Sequence, residues 1–509
     1  MNALVMLVTS KLAVDWDSAG QMHSGTIKQD PYNRFFLTRE ANVNNADCDS
    51  STANQPKAAI TRVPFGLVGN TRLTTLSEAA TIDFVRQVLG QPTPRVLEWS
   101  PNLNKKNLVG ADFLTMEYLT DGTPLSSRWD TLSSVETSRI IREVLSQQIA
   151  MTGRPFSQIG SLYFKEDVSE ELQKRPLFLN AEDNEHPLAD RYRIGPIADK
   201  YFYFLGEEPL EGDRGPWPDM ESFLLATCRL AIQRAKYQST QTHVPSSSAA
   251  LSQSRPEDLP EIIDLLEKCM QLVPHLVSFI PPELQVPILA HPQLSAHNII
   301  LNADTTDIKS YTDWQGVSVL PFIMRCYLPK LFQYENTLIS WPPTLDHLPL
   351  ELIPQAKAEL PILKREVLAR RLLFKMSPKH LQAWMNPFMP LLVQFCTVVP
   401  RVWADGPVLL RQFVYEVVYR WPEETGIACP VQISETEMEK QALEFQKAVV
   451  YDTRIDEGVA YMGCNPDGWV PDDESFERAK EVMKQLKEGW NEEDGPFPFE
   501  DGRYSSDLT

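Results

Sequence analysis

The chain of 509 residues lacks several features that would assign it to a class directly. Its seven cysteines, at positions 48, 228, 269, 326, 396, 429 and 464, form no CxxC pair and no metal-ligand spacing. An odd number also argues against a closed disulfide framework, so they read as reduced core thiols. No basic patch offsets the formal net charge of −20, which repels nucleic acid and anionic membrane surfaces and leaves neither as an expected partner. No run of about 18 uninterrupted apolar residues exists, so no spanning helix is predicted. The nearest approach, residues 385–403, is broken by Pro387, Pro390 and Pro400. The opening MNALVMLVTSKLAV has no leading basic region of a secretory signal, and Asp15 and Asp17 are unlike an acid-poor transit peptide. No internal repeat is evident. What is present is 43% hydrophobic content on a chain too long for one ordinary core, so a soluble globular protein of two or more lobes is expected.

The informative stretch is residues 291–301, HPQLSAHNIIL, followed by Asp313-Trp314-Gln315 fifteen residues after Asn298. In kinase-like phosphotransferases a catalytic-loop Asp accepts the acceptor hydroxyl proton, an Asn five residues later binds Mg²⁺, and a second Asp beyond the next strand holds the same metal. Asn298 and Asp313 stand at the two metal positions. Five residues before Asn298 is Gln293, a neutral amide that cannot take up a proton at physiological pH.

With these residues in place, the chain resembles the aminoglycoside-phosphotransferase-like superfamily, and within it the fungal altered inheritance of mitochondria proteins, whose loop reads like HPDLHxDNI followed by DWQ. His291, Pro292, Leu294, Asn298, Ile299 and all of Asp313-Trp314-Gln315 match, whereas Gln293 and His297 depart. The resemblance implies an α+β, two-lobed, protein-kinase-like fold. Its small antiparallel lobe is expected over 30–119, after a divergent segment at 1–29. A mostly helical lobe follows over 120–490, carrying the catalytic-type loop at 291–315 and a mobile insertion at 238–255, with an acidic tail at 491–509.

The same resemblance assigns roles along the chain. Residues 30–37, DPYNRFFL, match the glycine-rich turn that covers nucleotide phosphates, but Asp30-Pro31 replaces Gly-Ser. Proline has no N–H to offer a phosphate and Asp30 adds a like charge, so a weakened cover is expected. Arg62, on a strand at 58–63, falls on the cation that grips the phosphates. Glu78, early in a helix at 76–89, falls on the carboxylate that pairs with it. Glu117, Tyr118 and Leu119, ending a strand at 113–119, correspond to the hinge that reads the adenine edge. ATP and Mg²⁺ are the implied cofactors, and mitochondrial association is implied, with a cytoplasmic location as the alternative.

Read from the residues themselves, Ser133 and Glu136 form a capping box ahead of Ile140, Ile141, Val144 and Leu145. Residues 41–57 are rich in Asn, Asp and Ser and read as a loop, 92–99 as a strand, and 256–273, 434–451 and 473–490 as helices. The segments at 159–164, 213–217 and 317–335 also resemble family pieces, with structural roles expected for the first two. Three readings stay open. The chain is a pseudokinase acting through a protein partner, a slow ATP/Mg²⁺-dependent small-molecule phosphotransferase with His297 as a candidate proton relay, or an interaction scaffold that binds no nucleotide.

Overall fold

The computed structural model describes residues 22–30, 32–40, 58–100, 109–204, 210–240, 254, 256–336, 338–343, 345, 348–464, 470, 473–490 and 497. The expected insertion at 238–255, the loop at 41–57, the tail at 491–509, and Pro31 lie outside these residues, save for 238–240, Ser254 and Phe497.

The first lobe is a five-stranded antiparallel sheet in the order β1-β2-β3-β5-β4. Its strands are β1 (Met22–Gln29), β2 (Asn33–Glu40), β3 (Ala58–Pro64), β4 (Val96–Trp99) and β5 (Leu114–Glu117). The sheet thus begins at Met22, within the segment set apart as divergent, because β1 pairs along β2 from Met22 opposite Glu40 to Gln29 opposite Arg34. β4 is shorter than its expected 92–99, since Pro92 and Pro94 supply no N–H for a ladder.

Helix α1 (Thr71–Gln87) crosses this lobe. It starts five residues earlier than its apolar stripe suggested, because the Asn70 side chain accepts the N–H of Leu73 and caps the first turn. Phe84 on α1 packs against Phe156, Phe178 and Tyr192 of the second lobe at centroid distances of 5.6, 6.1 and 5.3 Å. The Tyr192 hydroxyl donates to Asp83 at 2.6 Å. α1 is therefore fastened to both lobes.

The chain passes into the second lobe through residues 117–119 and β6 (Gly122–Pro124). Helix α2 (Ser134–Met151) opens on the expected capping box, with Ser133 and Glu136 satisfying each other's main-chain N–H. Strands β7 (Ser161–Phe164) and β8 (Tyr192–Gly195) form a hairpin. Ile159 exchanges both main-chain hydrogen bonds with Trp217, and the Asp213 carboxylate accepts Trp217 Nε1–H at 3.0 Å, which gives the 159–164 and 213–217 segments a joint structural task.

Helices α3 (Met220–Gln238), α4 (Leu259–Ser278), α6 (Met389–Asp405) and α7 (Pro407–Thr425) form the main helical core. α5 (Ile353–Met376) packs on α2. α8 (Glu435–Met462) begins on a second capping box at Ser434, and α9 (Asp473–Glu488) packs against it. Between α4 and α5 lie β9 (Pro287–Leu289), β10 (Ile299–Asn302), β11 (Ile308–Tyr311) and β12 (Val319–Pro321). β10 lies between β11 and β6 in a three-stranded antiparallel sheet. Strands first and helices after, with antiparallel pairing throughout, is the two-lobed α+β kinase-like arrangement expected. Among the described residues no single helix is long and apolar enough to cross a membrane.

Candidate functional site

The β10–β11 hairpin brings Asn298 and Asp313 to one end. Ile299 pairs with Tyr311, and the Thr312 N–H donates to the Asn298 carbonyl at 2.9 Å. The fifteen-residue spacing thus closes as a hairpin. Asp313 has φ of 66°, and it is the one non-glycine residue with positive φ among those described. Such a conformation strains a residue with a Cβ and persists only when its surroundings enforce it. Here Trp314 supplies one constraint: it is sealed in the core, donates Nε1–H to the Tyr311 carbonyl at 3.1 Å, and meets the His291 ring at 4.5 Å. Gln315 supplies another, exchanging both amide hydrogen bonds with Asn33 of β2 at 2.9 Å each. That reciprocal pair ties the first hairpin of the small lobe to the Asp313 turn.

Arg62 lies on β3 and is 4% exposed, and Glu78 lies on α1 and is 2% exposed. They form a buried ion pair, and Arg62 Nη1 also reaches Asp313 Oδ1 at 3.1 Å. Burial lowers the guanidinium pKa, and Asp313 and then Asp30 oppose that shift. Arg62 Nε is buried with no hydrogen-bond partner among the described residues. The structure therefore brings Arg62, Glu78 and Asp313 together, with Asn298 beside Asp313.

The turn matched to the phosphate cover carries its own anion. Asp30 Oδ1 accepts the N–H groups of Tyr32 at 2.9 Å and Asn33 at 2.7 Å. Donors of the kind that a phosphate-binding turn aims at its ligand are occupied by this side chain. The turn is also held from the larger lobe, where Lys200 Nζ donates to the Tyr32 hydroxyl at 2.8 Å.

Gln293, at the position the resemblance matches to the base, is exposed and takes part through its main chain. Its N–H donates to His291 Nδ1 at 3.2 Å and its carbonyl accepts Asn298 Nδ2–H at 2.8 Å. His291 is buried, and its Nε2–H donates to the Thr312 carbonyl at 2.9 Å. Burial lowers its pKa to about 4, so the ring is neutral and can accept from Gln293. Asn298 spends its amide nitrogen on the loop, and its Oδ1 has no partner among the described residues. Asp313 spends Oδ1 on Arg62, and its Oδ2 likewise has none among them. These two oxygens fit a Mg²⁺ ion that takes its remaining ligands from phosphate and water. Among the described residues no cluster of three His, Cys, Asp or Glu offers an all-protein metal cage. His297 is exposed and makes no hydrogen bond to Gln293 or Asn298.

Glu117, Tyr118 and Leu119 do form the connection between lobes. Glu117 and Tyr118 spend their N–H groups on the carbonyls of Arg95 and Ala58, at 2.9 and 3.0 Å. Leu119 has no such partner for its N–H among the described residues.

Sequence reasoning missed a cavity of about 200 Å³ beside the loop, lined by Gln148, Gln293, Arg325, Tyr327, Lys330 and Gln333 among others. The signal available was two cations, Arg325 and Lys330, inside the mostly apolar 317–335 segment.

No protein-family model matches the chain. It is 26% identical over 470 residues to a subtelomeric hrmA-associated cluster protein of Aspergillus fumigatus, a match spanning 86% of this chain and 89% of that protein. It is 28% identical over 309 residues to altered inheritance of mitochondria protein 9, mitochondrial, of Lodderomyces elongisporus, spanning 57% of this chain and 47% of that protein. The match thus covers about half the length of that mitochondrial relative. Among solved structures it is similar to a choline kinase from Cryptosporidium parvum, at a TM-score of 0.35 and 11% identity over 83% of this chain and 95% of that one.

Proposed function

We propose that this kinase-like protein is a catalytically impaired phosphotransferase, a pseudokinase that seats a Mg²⁺-nucleotide and lacks the base that would activate an acceptor. The observation that carries the reading is the contrast at one loop. Among the described residues Asn298 and Asp313 each have a side-chain oxygen with no partner, and Asp313 contacts Arg62, while position 293 offers a neutral amide. When bound, Mg²⁺ would neutralise charge developing on the phosphate oxygens. Asn298 and Asp313 would hold it, Arg62 would meet the phosphates, and the Leu119 N–H would be available to an adenine edge. With no carboxylate at 293, the acceptor proton has no base at that position.

Gln293→Asp tests this directly. It should raise phosphotransfer or nucleotide hydrolysis by roughly 10² or more, the usual range for a general base, and Asn298→Ala should remove the gain. Titration of ATP with and without Mg²⁺ decides the premise, since no binding to either form ends the nucleotide reading. A second reading, an interaction scaffold without nucleotide, is favoured by one observation, the Asp30 carboxylate occupying the Tyr32 and Asn33 donors. Asp30→Gly should then create ATP binding that the native chain lacks. Mitochondrial association is part of the proposal, supported by the names of the partial relatives. Fractionation showing the protein only in the cytosol overturns it.

A further inference from the structure

The cavity beside Gln293 has a charge opposite to that of the chain. With a formal net charge of −20, the molecule as a whole repels anions, yet both charged side chains lining this cavity are cations. Arg325 donates Nη1–H to the Tyr327 hydroxyl at 3.2 Å, while its Nε is buried with no hydrogen-bond partner among the described residues. The carboxylate that acts on it, Asp199, accepts the Tyr201 N–H at 2.9 Å and forms no ion pair with the guanidinium. Lys330 meets Glu335 at 3.6 Å, and both side chains are more than half exposed, so that ammonium can readily exchange partners. The remaining polar lining is neutral. Gln148 spends its amide nitrogen on the Tyr327 carbonyl at 3.0 Å, while its Oε1 is buried without a partner. His291 is held neutral by burial.

We propose that this cavity binds a small oxyanion, a carboxylate or a phosphate monoester, between Arg325 and Lys330. The Arg325 guanidinium lines the cavity, and a planar guanidinium matches an oxyanion because two parallel N–H donors can reach two oxygens at once. A volume of about 200 Å³ falls below the roughly 300–1,000 Å³ of drug-sized sites, which restricts the ligand to a small molecule. A cationic amine would meet two like charges. The inference rests on the reading above only in that Gln293 lines the same cavity, where an acceptor would stand. Anion binding itself requires neither nucleotide nor metal.

Isothermal titration of the full chain with inorganic phosphate and, separately, with succinate tests it. Saturable one-to-one binding of either probe is expected, and the probe that binds identifies the class. Arg325→Met should weaken binding about tenfold or more, as loss of a charge-assisted contact does, and Lys330→Gln should weaken it several-fold. Lys330 is exposed, so its variant remains informative if the Arg325 variant fails to fold. Absence of saturation by both probes, or binding unchanged in the Lys330 variant and in a folded Arg325 variant, overturns the proposal. ATP–Mg²⁺ titration of the same samples separates the two ideas. Variants that lose the anion and keep ATP place the anion in this cavity. A native chain that binds the anion and no ATP ends the nucleotide reading and leaves this one standing.

Discussion

Arg62 is sealed from water between two carboxylates, whereas Gln293 is exposed and tied in through its N–H and carbonyl alone. Both belong to one site, but folding constrains them differently. An uncompensated charge left by losing Arg62 would sit in a low-dielectric interior, while any residue but proline can supply the main-chain groups of position 293. A change at 293 should therefore leave the fold intact, and the presence of Arg62 with Glu78 is not by itself a sign of chemistry, because that pair has a structural reason to be kept.

The largest expected effect follows from the buried pair. Arg62→Ala strands Glu78 in the core and should cost about 3–5 kcal/mol in denaturant unfolding, whereas the double change Arg62→Met with Glu78→Leu should recover much of that loss. A single-variant loss under about 1 kcal/mol would erase the contrast with Gln293, because it would mean the pair is not what constrains this half.

That contrast was partly legible in the sequence. The Arg62–Glu78 pairing and the closeness of Asn298 and Asp313 follow from motif order, and the capping box at Ser133 follows from local chemistry that needs no tertiary context. The Asn33–Gln315 amide pair was not legible, since it joins residues far apart in sequence whose side chains carry no distinguishing pattern. The first strand was hidden because its partner lies beyond a turn judged divergent, and the early start of α1 because Asn70 was not recognised as a cap. Arg325 and Lys330 lie within the 317–335 segment but could not be placed on a cavity wall without the fold.

Acid should act at the joint between the two halves. His291 accepts from Gln293 and donates to Thr312, the residue before Asp313. Burial lowers its pKa to about 4, and that of His380, whose Nδ1 pairs with Ser377 Oγ at 2.7 Å, to about 4 as well. The unfolded chain, with ordinary imidazoles near 6.5, binds these protons first. Stability from both is complete above about pH 6.5 and is lost as pH falls toward 4. Unfolding between those values should take up protons, and His291→Asn should reduce the uptake. An unfolding midpoint flat over that window would mean the histidines are not buried as neutral groups.

A smaller effect tests whether the amide pair links the lobes. Asn33→Ala removes two hydrogen bonds and leaves the Gln315 amide without its partner, which should cost about 1–2 kcal/mol. Hydrogen exchange should quicken at the Asp313 turn. Exchange unchanged there would mean Trp314 alone enforces the strained backbone.

The smallest stability effect is expected at Gln293, and its smallness is the point. Gln293→Ala keeps the N–H that His291 accepts and the carbonyl that Asn298 meets, so nothing that orders the loop is removed. The side chain is exposed, so no apolar area or buried hydrogen bond goes with it. Unfolding free energy should stay within about 0.5 kcal/mol of the native value, the range for surface substitutions away from special features. Gln293→Asp should fall in the same range, which makes any gain in turnover attributable to the carboxylate and not to a change in fold. A loss of 2 kcal/mol or more at either substitution would show that the amide is held in the site after all. The comparison with Arg62 would then fail, and Gln293 would have to be read as a binding group for whatever occupies the cavity beside it.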